Sequence, residues 1–437
     1  MMAFKKVLTR HVGKKDCHTL KFYKKQGGYA QAEDAVKNQD PDALIDLVKA
    51  SNLRGRGGAG FPTGVKWAFV PKHTDKAKYL VVNADESEPG TFKDRVLMEK
   101  NPHLLLDGII ICSKAVGIHH AYIYIRGEFV FAYRRLLEAV EEAYSDGLLG
   151  KGIFGSNFDL DVTLHRGAGA YICGEETGML TSLEGKRGEP KLKPPFPAVE
   201  GVFGCPTVVN NVETLANLPY ILEIGADAYK KIGPEKCPGP KLFCVSGHVE
   251  NPGTFELPMG VNLLELINKH AGGVWKGRSL KAVIPGGSSA HVLHADECDV
   301  AMDIESLDEA GSMLGSAGII VMDDSTCMVD ALLNIMRFYH HESCGQCTPC
   351  REGTGWLEKL VHRIASGGGR HEDLQLIQDV CDRMVGKTIC ALADAAAFPA
   401  ESIVKKFPED FLHAIEQGGS PASRNRSRAA VGGGTDV

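Results

Sequence analysis

The spacing of apolar and polar positions shifts along the chain, and each shift marks a different kind of structure. Near the start, Leu44, Ile45, Leu47 and Val48 share one helical face, with Asp40 placed to cap the first turn and Pro41 at the first helical position. Short apolar runs at residues 79–82, 121–125 and 160–164 read as buried strands, and the segments between them carry helical spacing. That alternation predicts α/β layering up to about residue 235. A break at Cys237-Pro238-Gly239-Pro240 precedes strand-like residues 242–245 and 253–256 and a helical pattern at 263–270, so a small α+β module is expected to close near Met322. From Met328 onward, residues 328–339, 356–364 and 374–385 all have helical spacing. The predicted division is 1–238, 239–325 and 326–417, followed by a Gly, Ser, Ala and Arg tail at 418–437 that has little to bury and reads as disordered.

Composition narrows the function more than the fold. The chain has 437 residues, 43% of them apolar and 24% charged, enough for two or three ordinary cores. A net charge of -6 with acids and bases interleaved argues against a nucleic-acid footprint or a polybasic membrane patch. No apolar run reaches the roughly 18–20 residues a bilayer requires, and the longest, around 104–116, is interrupted by Asp107 and Lys114. Met1-Met2-Ala3-Phe4-Lys5-Lys6 lacks the apolar core of a secretory signal, so an internal compartment is expected. In such a compartment thirteen cysteines do not form a disulfide framework. Cys112, Cys205, Cys244 and Cys381 read as isolated core residues, whereas four others stand apart by spacing.

Those four are Cys344, Cys347 and Cys350 in one short run, with Cys390 far downstream. Three close thiolates and one remote one suit a 4Fe-4S cube, while a zinc site, the alternative, usually draws its ligands as two separated pairs. A second signal is the run Leu53-Arg54-Gly55-Arg56-Gly57-Gly58-Ala59-Gly60-Phe61-Pro62-Thr63-Gly64. Gly55, Gly57 and Gly60 match G-x-G-x-x-G, but the run follows a helix, so the usual dinucleotide fingerprint fails its context. What remains is a backbone that a flat ring or phosphate can approach closely, with Arg54, Arg56 and Lys66 supplying positive charge. The loop His165 to Thr177 instead follows a strand and leads into a helix, the crevice position of α/β proteins; Glu175 and Glu176 there also suit a plain first-turn acidic pair. Asp85, Glu86 and Glu88 follow another strand, and Asn210-Asn211 precede an apolar helix, where asparagine also serves as an ordinary cap. Phe61, Phe69 and Phe196 sit in or beside these segments, as rings able to stack on a base or as core residues.

Taken together, Arg54 to Lys66, Asn83-Ala-Asp-Glu-Ser-Glu-Pro-Gly90, Gly167-Ala-Gly-Ala-Tyr-Ile-Cys-Gly-Glu-Glu-Thr177, Lys193-Pro-Pro-Phe-Pro197 and Glu342-Ser-Cys-Gly-Gln-Cys-Thr-Pro-Cys-Arg351 resemble the family of flavin-binding F subunits of NADH-quinone oxidoreductase, respiratory complex I, over roughly residues 20–415. The resemblance implies a non-standard, Rossmann-like α/β domain for FMN, an α+β ubiquitin-like β-grasp (SLBB) module and a C-terminal helical bundle holding a 4Fe-4S cluster on Cys344, Cys347, Cys350 and Cys390. It implies that FMN lies along Gly55, Gly57, Lys66, Asn83, Asp85, Glu86, Gly174, Glu175, Asn210 and Asn211, with Arg54, Arg56, Gly58, Gly60 and Gly64 in the same cofactor loop. NADH is expected at Phe61, Phe69, Glu88, Glu176, Lys193 and Phe196, with Glu88 and Glu176 positioning the nicotinamide and ribose.

The expected activity is hydride transfer from NADH to FMN, then single electrons to the cluster and on towards quinone. The implied partners are a thioredoxin-like 2Fe-2S subunit (the E subunit) and the iron-sulfur subunit of the peripheral arm, at the inner face of a bacterial inner membrane or, in a eukaryote, on the matrix side. Missing transit features lean bacterial. Diaphorase subunits of NAD-reducing hydrogenases and of NAD-dependent formate dehydrogenases look similar across the same motifs but often carry an N-terminal ferredoxin domain, where only a short segment precedes the glycine run here. Gly178, Gly188-Glu189 and Ala391 depart from the family pattern as it is expected at those positions.

Overall fold

The computed structural model describes residues 4–424. Its first sheet holds β1 (Tyr79–Ala84), β2 (His120–Ile125), β3 (Asp161–Arg166) and β4 (Thr207–Asn211), all parallel, in the order β3-β2-β1-β4. The three predicted strands appear within two residues of their expected bounds. β4 escapes the pattern because its apolar stretch is only Val208 and Val209 before two asparagines; pairing with β1 supplies what local propensity lacks.

Helices pack on this sheet because their sequences leave little choice. Pro102–Val116 is apolar almost all round and buried along nearly its whole length, and Gly108 lets it close onto Leu215, whose carbonyl would stand 2.1 Å from any Cβ there. Val130–Ser145 instead buries one stripe, Ala132, Leu136, Ala139, Val140 and Ala143. Pro41–Ala50 begins as expected, with the Asp40 carboxylate accepting from the amides of Asp42 and Ala43. No described helix is long and apolar enough to cross a membrane.

A mixed second sheet follows: β5 (Pro240–Gly247), β6 (Gly253–Pro258), β7 (Leu280–Ile284), β8 (Leu293–His294) and β9 (Gly318–Asp323), in the order β6-β5-β9-β7-β8, with β5 and β9 parallel. The chain then becomes helical through Met328–Glu342, Thr348–Ala365, Glu372–Met384, Leu392–Lys406 and Pro408–Glu416. A continuous apolar core joins Val81 and Val209 of the first sheet, Ala282 and Met322 of the second, and the bundle helices. The three parts therefore meet over shared core, and the site lies where they meet.

Two expectations are corrected. Residues 418–424, expected to be part of a disordered tail, are held: Ser420 is buried, its hydroxyl donates to Asp330 (2.6 Å) and its amide to the Ala365 carbonyl (2.9 Å). Residues 425–437 lie outside the described residues. Cys205 is half-buried, unlike the core residues Cys112, Cys244 and Cys381.

Candidate active site

Strand order decides where the functional loops gather. Between β1 and β4 the connections diverge to opposite sides, leaving a crevice at the carboxyl ends of the strands. The parallel register sets Asn83 opposite Asn211 and Val82 opposite Asn210, so two asparagines far apart in sequence flank one opening. The loop after β3 is drawn over it when the Asn83 side-chain amide donates to the Gly174 carbonyl (2.8 Å). Beneath lies a cavity of about 380 Å³ walled by Gly57, Gly58, Ala59, Asn83, Asp85, Glu86, Glu88, Lys93, Asp94, Tyr171, Gly174, Glu175 and Asn211, reaching Gly286 and Ser289 on one side and Cys390 to Leu392 on the other. That is room for a bound cofactor.

The glycine run works as two distinct parts. Gly57 to Ala59 face the cavity; a Cβ on Gly57 would press on Asn211 at 3.0 Å, and Gly58, with φ +133, opens onto free space. A flat ring or polyol fits such a wall. Gly55 closes the loop through its amide on the Phe61 carbonyl (2.9 Å). Gly60 is wedged against Ile304, and Gly64 lies in helix Thr63–Ala68 so close to helix Pro41–Ala50 that a Cβ would come 2.5 Å from the Lys49 amide nitrogen. The structure thus gives Gly64 a packing role. Arg56 is buried, its guanidinium donating to the carbonyls of Arg54 (3.2 Å) and Pro238 (2.7 Å). Arg54 pairs with Glu305 (3.0 Å) and hydrogen-bonds the Gly60 carbonyl. Both arginines brace the loop from behind; neither lines the cavity.

Charge is concentrated in the floor. The Glu86 carboxylate accepts from the amides of Lys93 (2.8 Å), Asp94 (2.7 Å) and Arg95 (3.0 Å), which anchors the loop after β1 to the start of helix Asp94–Lys100. Burial and the neighbouring Asp94 charge still push Glu86 up to about 7. Asp85, which accepts from the Ser87 hydroxyl (2.8 Å), is also raised by burial to about 7. Behind them Lys93 bridges Asp94 (2.9 Å) and Glu213 (2.8 Å), and Lys241 reaches the same Glu213 oxygen (2.8 Å); all four side chains are almost wholly buried. Burial would raise Glu213, but Lys241 and Lys93 overcome it and hold its carboxyl at about 2, while burial pulls Lys241 down to about 8. Asn211 caps the helix after β4 and donates to Asp94 (2.6 Å), whereas Asn210 points inward and accepts from the Trp67 indole (2.8 Å).

The surface flanking the cavity forms a rim of different character; Phe61, Phe69, Phe196, Lys66, Lys193 and Glu176 are not among the residues that line the cavity itself. Phe61, Phe69 and Phe196 are 44%, 56% and 57% exposed, far from a core state. Lys193 reaches Glu176 (2.7 Å) and Glu175 (3.1 Å), and Lys66 lies 3.8 Å from Glu176. Burial would raise Glu176, yet Lys66 and Lys193 keep its carboxyl below the usual range; burial lowers Lys66. Glu175 also caps helix Glu176–Leu183 through the amides of Thr177 and Gly178, so the first-turn reading describes one of its tasks. Gly178 has a local reason: a Cβ would stand 2.7 Å from the Ile172 carbonyl oxygen. Glu88 faces the cavity, held by the Tyr171 hydroxyl (2.6 Å) and the Ser289 amide (2.8 Å), and burial raises its carboxyl despite both donors.

At the far side, Pro349 lies in the first turn of helix Thr348–Ala365, so this helix starts eight residues earlier than its apolar pattern predicts. Cys347 becomes its N-cap and Cys350 lies in its opening turn; Cys390 immediately precedes the N-cap of helix Leu392–Lys406. Two positive helix ends thus point at the thiols. The Ile389 amide donates to the Cys347 sulfur (3.4 Å), and the Ser343 hydroxyl lies 3.3 Å from the Cys350 sulfur. Burial raises the thiols of Cys350 and Cys390, and neighbouring charges add to it, Cys344 and Cys347 at Cys350 and Glu175, Cys350 and Cys344 at Cys390; among the described residues no three of these side chains are already gathered as a metal site. Soft ligands with hydrogen-bond donors beside them suit an iron-sulfur cluster.

Comparison with known proteins finds three families in order along the chain. Residues 48–220 match the Nuo51 FMN-binding domain, residues 241–321 the SLBB domain, and residues 330–414 the NADH-ubiquinone oxidoreductase-F iron-sulfur binding region. The second NADH-quinone oxidoreductase F subunit of Rhizobium meliloti is 55% identical over 414 residues, 95% of this chain and 98% of that one. The chain belongs to the family of NADH-quinone oxidoreductase F subunits. The F subunit of Mycobacterium bovis is 49% identical over 98% of this chain and 97% of its own. Among solved structures, an NAD+-reducing NiFe hydrogenase in its air-oxidized state superposes with a TM-score of 0.79 at 35% identity, covering 88% of this chain; this chain spans 65% of that one. The family carries FMN and a 4Fe-4S cluster, which decides for iron-sulfur over zinc.

Several cavity residues escape a reading of the sequence alone. Lys93 and Asp94 look like a solvated pair, and Tyr171 like a core aromatic within its motif. The one local signal for Ser289 is Pro285-Gly286-Gly287-Ser288-Ser289, a second glycine-rich turn that strand patterns pass over.

Proposed function

We propose that this chain is the NADH-oxidising subunit of a respiratory NADH-quinone oxidoreductase, taking electrons at the aromatic rim and delivering them at the cysteine cluster. The observation that carries this reading is the single cavity that begins at Gly57 to Ala59 and ends at Cys390. FMN bound there supplies the conversion of a two-electron hydride donor into a source of single electrons. Gly57, Gly58, Asn83, Asp85, Glu86, Gly174, Glu175 and Asn211 would hold it, and Cys344, Cys347, Cys350 and Cys390 would hold the cluster.

The residues of the chain bind, orient and exclude water. Phe61, Phe69 and Phe196 offer faces on which an adenine or nicotinamide can stack. Lys66 and Lys193 keep Glu176 ionised, so it accepts hydrogen bonds from ribose hydroxyls without taking up a proton. Glu88, held by Tyr171 and Ser289, meets the carboxamide end of the nicotinamide and fixes its approach. Downstream, the thioredoxin-like 2Fe-2S E subunit and the iron-sulfur subunit of the peripheral arm would take the electrons towards quinone, with this chain peripheral to the inner face of the membrane. A diaphorase role in an NAD-reducing hydrogenase has support from the solved structures at 34–35% identity, but the curated complex I relatives match at 49–55% over nearly their full length.

The test is anaerobic purification with the 2Fe-2S partner and an ultraviolet-visible spectrum before and after NADH. Flavin and iron-sulfur bands that bleach on NADH addition are the expected result. A colourless protein, or one whose flavin band ignores NADH, overturns the reading.

A further inference from the structure

Glu88 is restrained from outside the first sheet as well as within it. Its Oε1 accepts from the Ser289 amide and, at 3.4 Å, from the Ser288 hydroxyl; both belong to the turn after β7 in the second sheet. That turn is built to sit there: Gly287, at φ +98, would drive a Cβ to within 2.5 Å of the Glu88 Cγ, and the Ser288 amide donates to the Pro89 carbonyl (3.2 Å). The Ser288 hydroxyl lies 2.9 Å from that of Tyr339, buried in helix Met328–Glu342. On the other side, the Tyr171 hydroxyl donates to Glu88 Oε2, and the Tyr171 amide donates to the carboxylate of Glu342 (2.9 Å). Tyr339 and Glu342 are one turn apart on the same helix, and Glu342 is two residues from Cys344. The Tyr171 ring also packs edge-on against Phe338 (5.1 Å) and Tyr339 (6.1 Å).

We propose that Ser288 and Tyr339 are positioning residues for NADH oxidation: they close a ring of contacts, Glu88 to Ser288 to Tyr339, along the helix to Glu342, then Tyr171 and back to Glu88, which orients the carboxylate that meets the nicotinamide. The inference rests on the Glu88 role proposed above. It gives the β-grasp module a definite task, to complete the NADH site with Ser288 and Ser289. Neither hydroxyl touches substrate. Each acts by supplying Glu88 with a donor or by fixing the group that does, and such a donor favours the ionised carboxylate against the burial that opposes it.

The experiment compares the parent with Tyr339→Phe, Ser288→Ala, Glu88→Gln and the Glu88→Gln/Tyr339→Phe double variant, all as flavin- and cluster-loaded protein with the 2Fe-2S partner, with ferricyanide as electron acceptor. With flavin and iron content equal to the parent, Tyr339→Phe and Ser288→Ala are expected to raise KM for NADH about three- to tenfold with kcat changed by less than about twofold. The acid limb of kcat/KM should move to higher pH, because Glu88 loses support for its charge. Tyr339→Phe should add nothing to Glu88→Gln. Parent values for both Tyr339→Phe and Ser288→Ala, or a Tyr339→Phe effect that multiplies that of Glu88→Gln, overturn the ring while leaving the Glu88 role intact. A Glu88→Gln variant with unchanged KM and kcat overturns the Glu88 role and the ring together. Should Tyr339→Phe fail to load cofactor, Ser288→Ala alone decides.

Discussion

The floor and the rim of the cavity are made of opposite materials. The floor sets Lys93, Asp94, Glu213 and Lys241 out of water in one paired network, while the rim leaves Phe61, Phe69 and Phe196 about half exposed. Buried ions are tolerable only when every partner is present, so the floor is shaped once, during folding. Exposed rings stand ready for a ligand that arrives and leaves. The contrast fits a resident cofactor below and an exchanging one above.

The sharpest way to break this comparison is to remove one floor charge. Lys93→Met leaves Asp94 and Glu213 short of a cation and is expected to destabilise the protein by about 3–5 kcal/mol, read as a lower thermal midpoint together with loss of FMN on gel filtration. A midpoint equal to the parent's would show that the floor is not preset. Next comes Asp85, whose carboxyl titrates near 7 when folded and near 4 when unfolded. Between those values the folded state holds the extra proton, so stability is lost as pH rises through the window. In FMN-free protein, Asp85→Asn removes this slope and should gain on the parent by about 2 kcal/mol between pH 5 and pH 8. Parallel midpoint curves for the two proteins would refute the burial argument.

Gly64→Ala sharpens the division inside the glycine run. The added methyl group would press on the backbone at Lys49 and destabilise by about 1–2 kcal/mol, with FMN affinity unchanged within error. Weakened FMN binding at an unchanged midpoint would return Gly64 to the cofactor loop. At the rim, Phe196→Ala should leave stability within about 0.5 kcal/mol and raise KM for NADH about two- to tenfold, the value of one stacking contact. A lowered midpoint instead would make Phe196 a structural residue.

What the sequence exposed and what it concealed divide along the same line. The four cysteines and the glycine run were legible from their spacing, and the acidic residues Asp85, Glu86 and Glu88 were legible as candidates because they follow a strand, the asparagine pair because it precedes an apolar helix. That Asn83 and Asn211 become neighbours follows from the parallel register of β1 and β4, which no local pattern encodes. Arg56 shows the converse: a charge beside a glycine loop can be read from the chain, but its turn inward to Pro238 can only be seen in the fold. Lys93 and Glu213 were invisible for a similar reason. Each looks like a surface charge until its partner, more than a hundred residues away, is placed beside it. Helix Thr348–Ala365 starts before its apolar spacing does because Pro349 is tolerated in a first turn, where apolar periodicity gives no signal.

Cys390 is at once a proposed ligand of the metal centre and part of the cavity wall. Ala391 and Leu392 stand beside it in that wall, so they would form part of the protein matter between a flavin in the cavity and a cluster on the thiols. Tunnelling current falls off steeply with barrier width, so electron flow through this wall would be open to tuning at Ala391 and Leu392, without any change to cofactor or ligand.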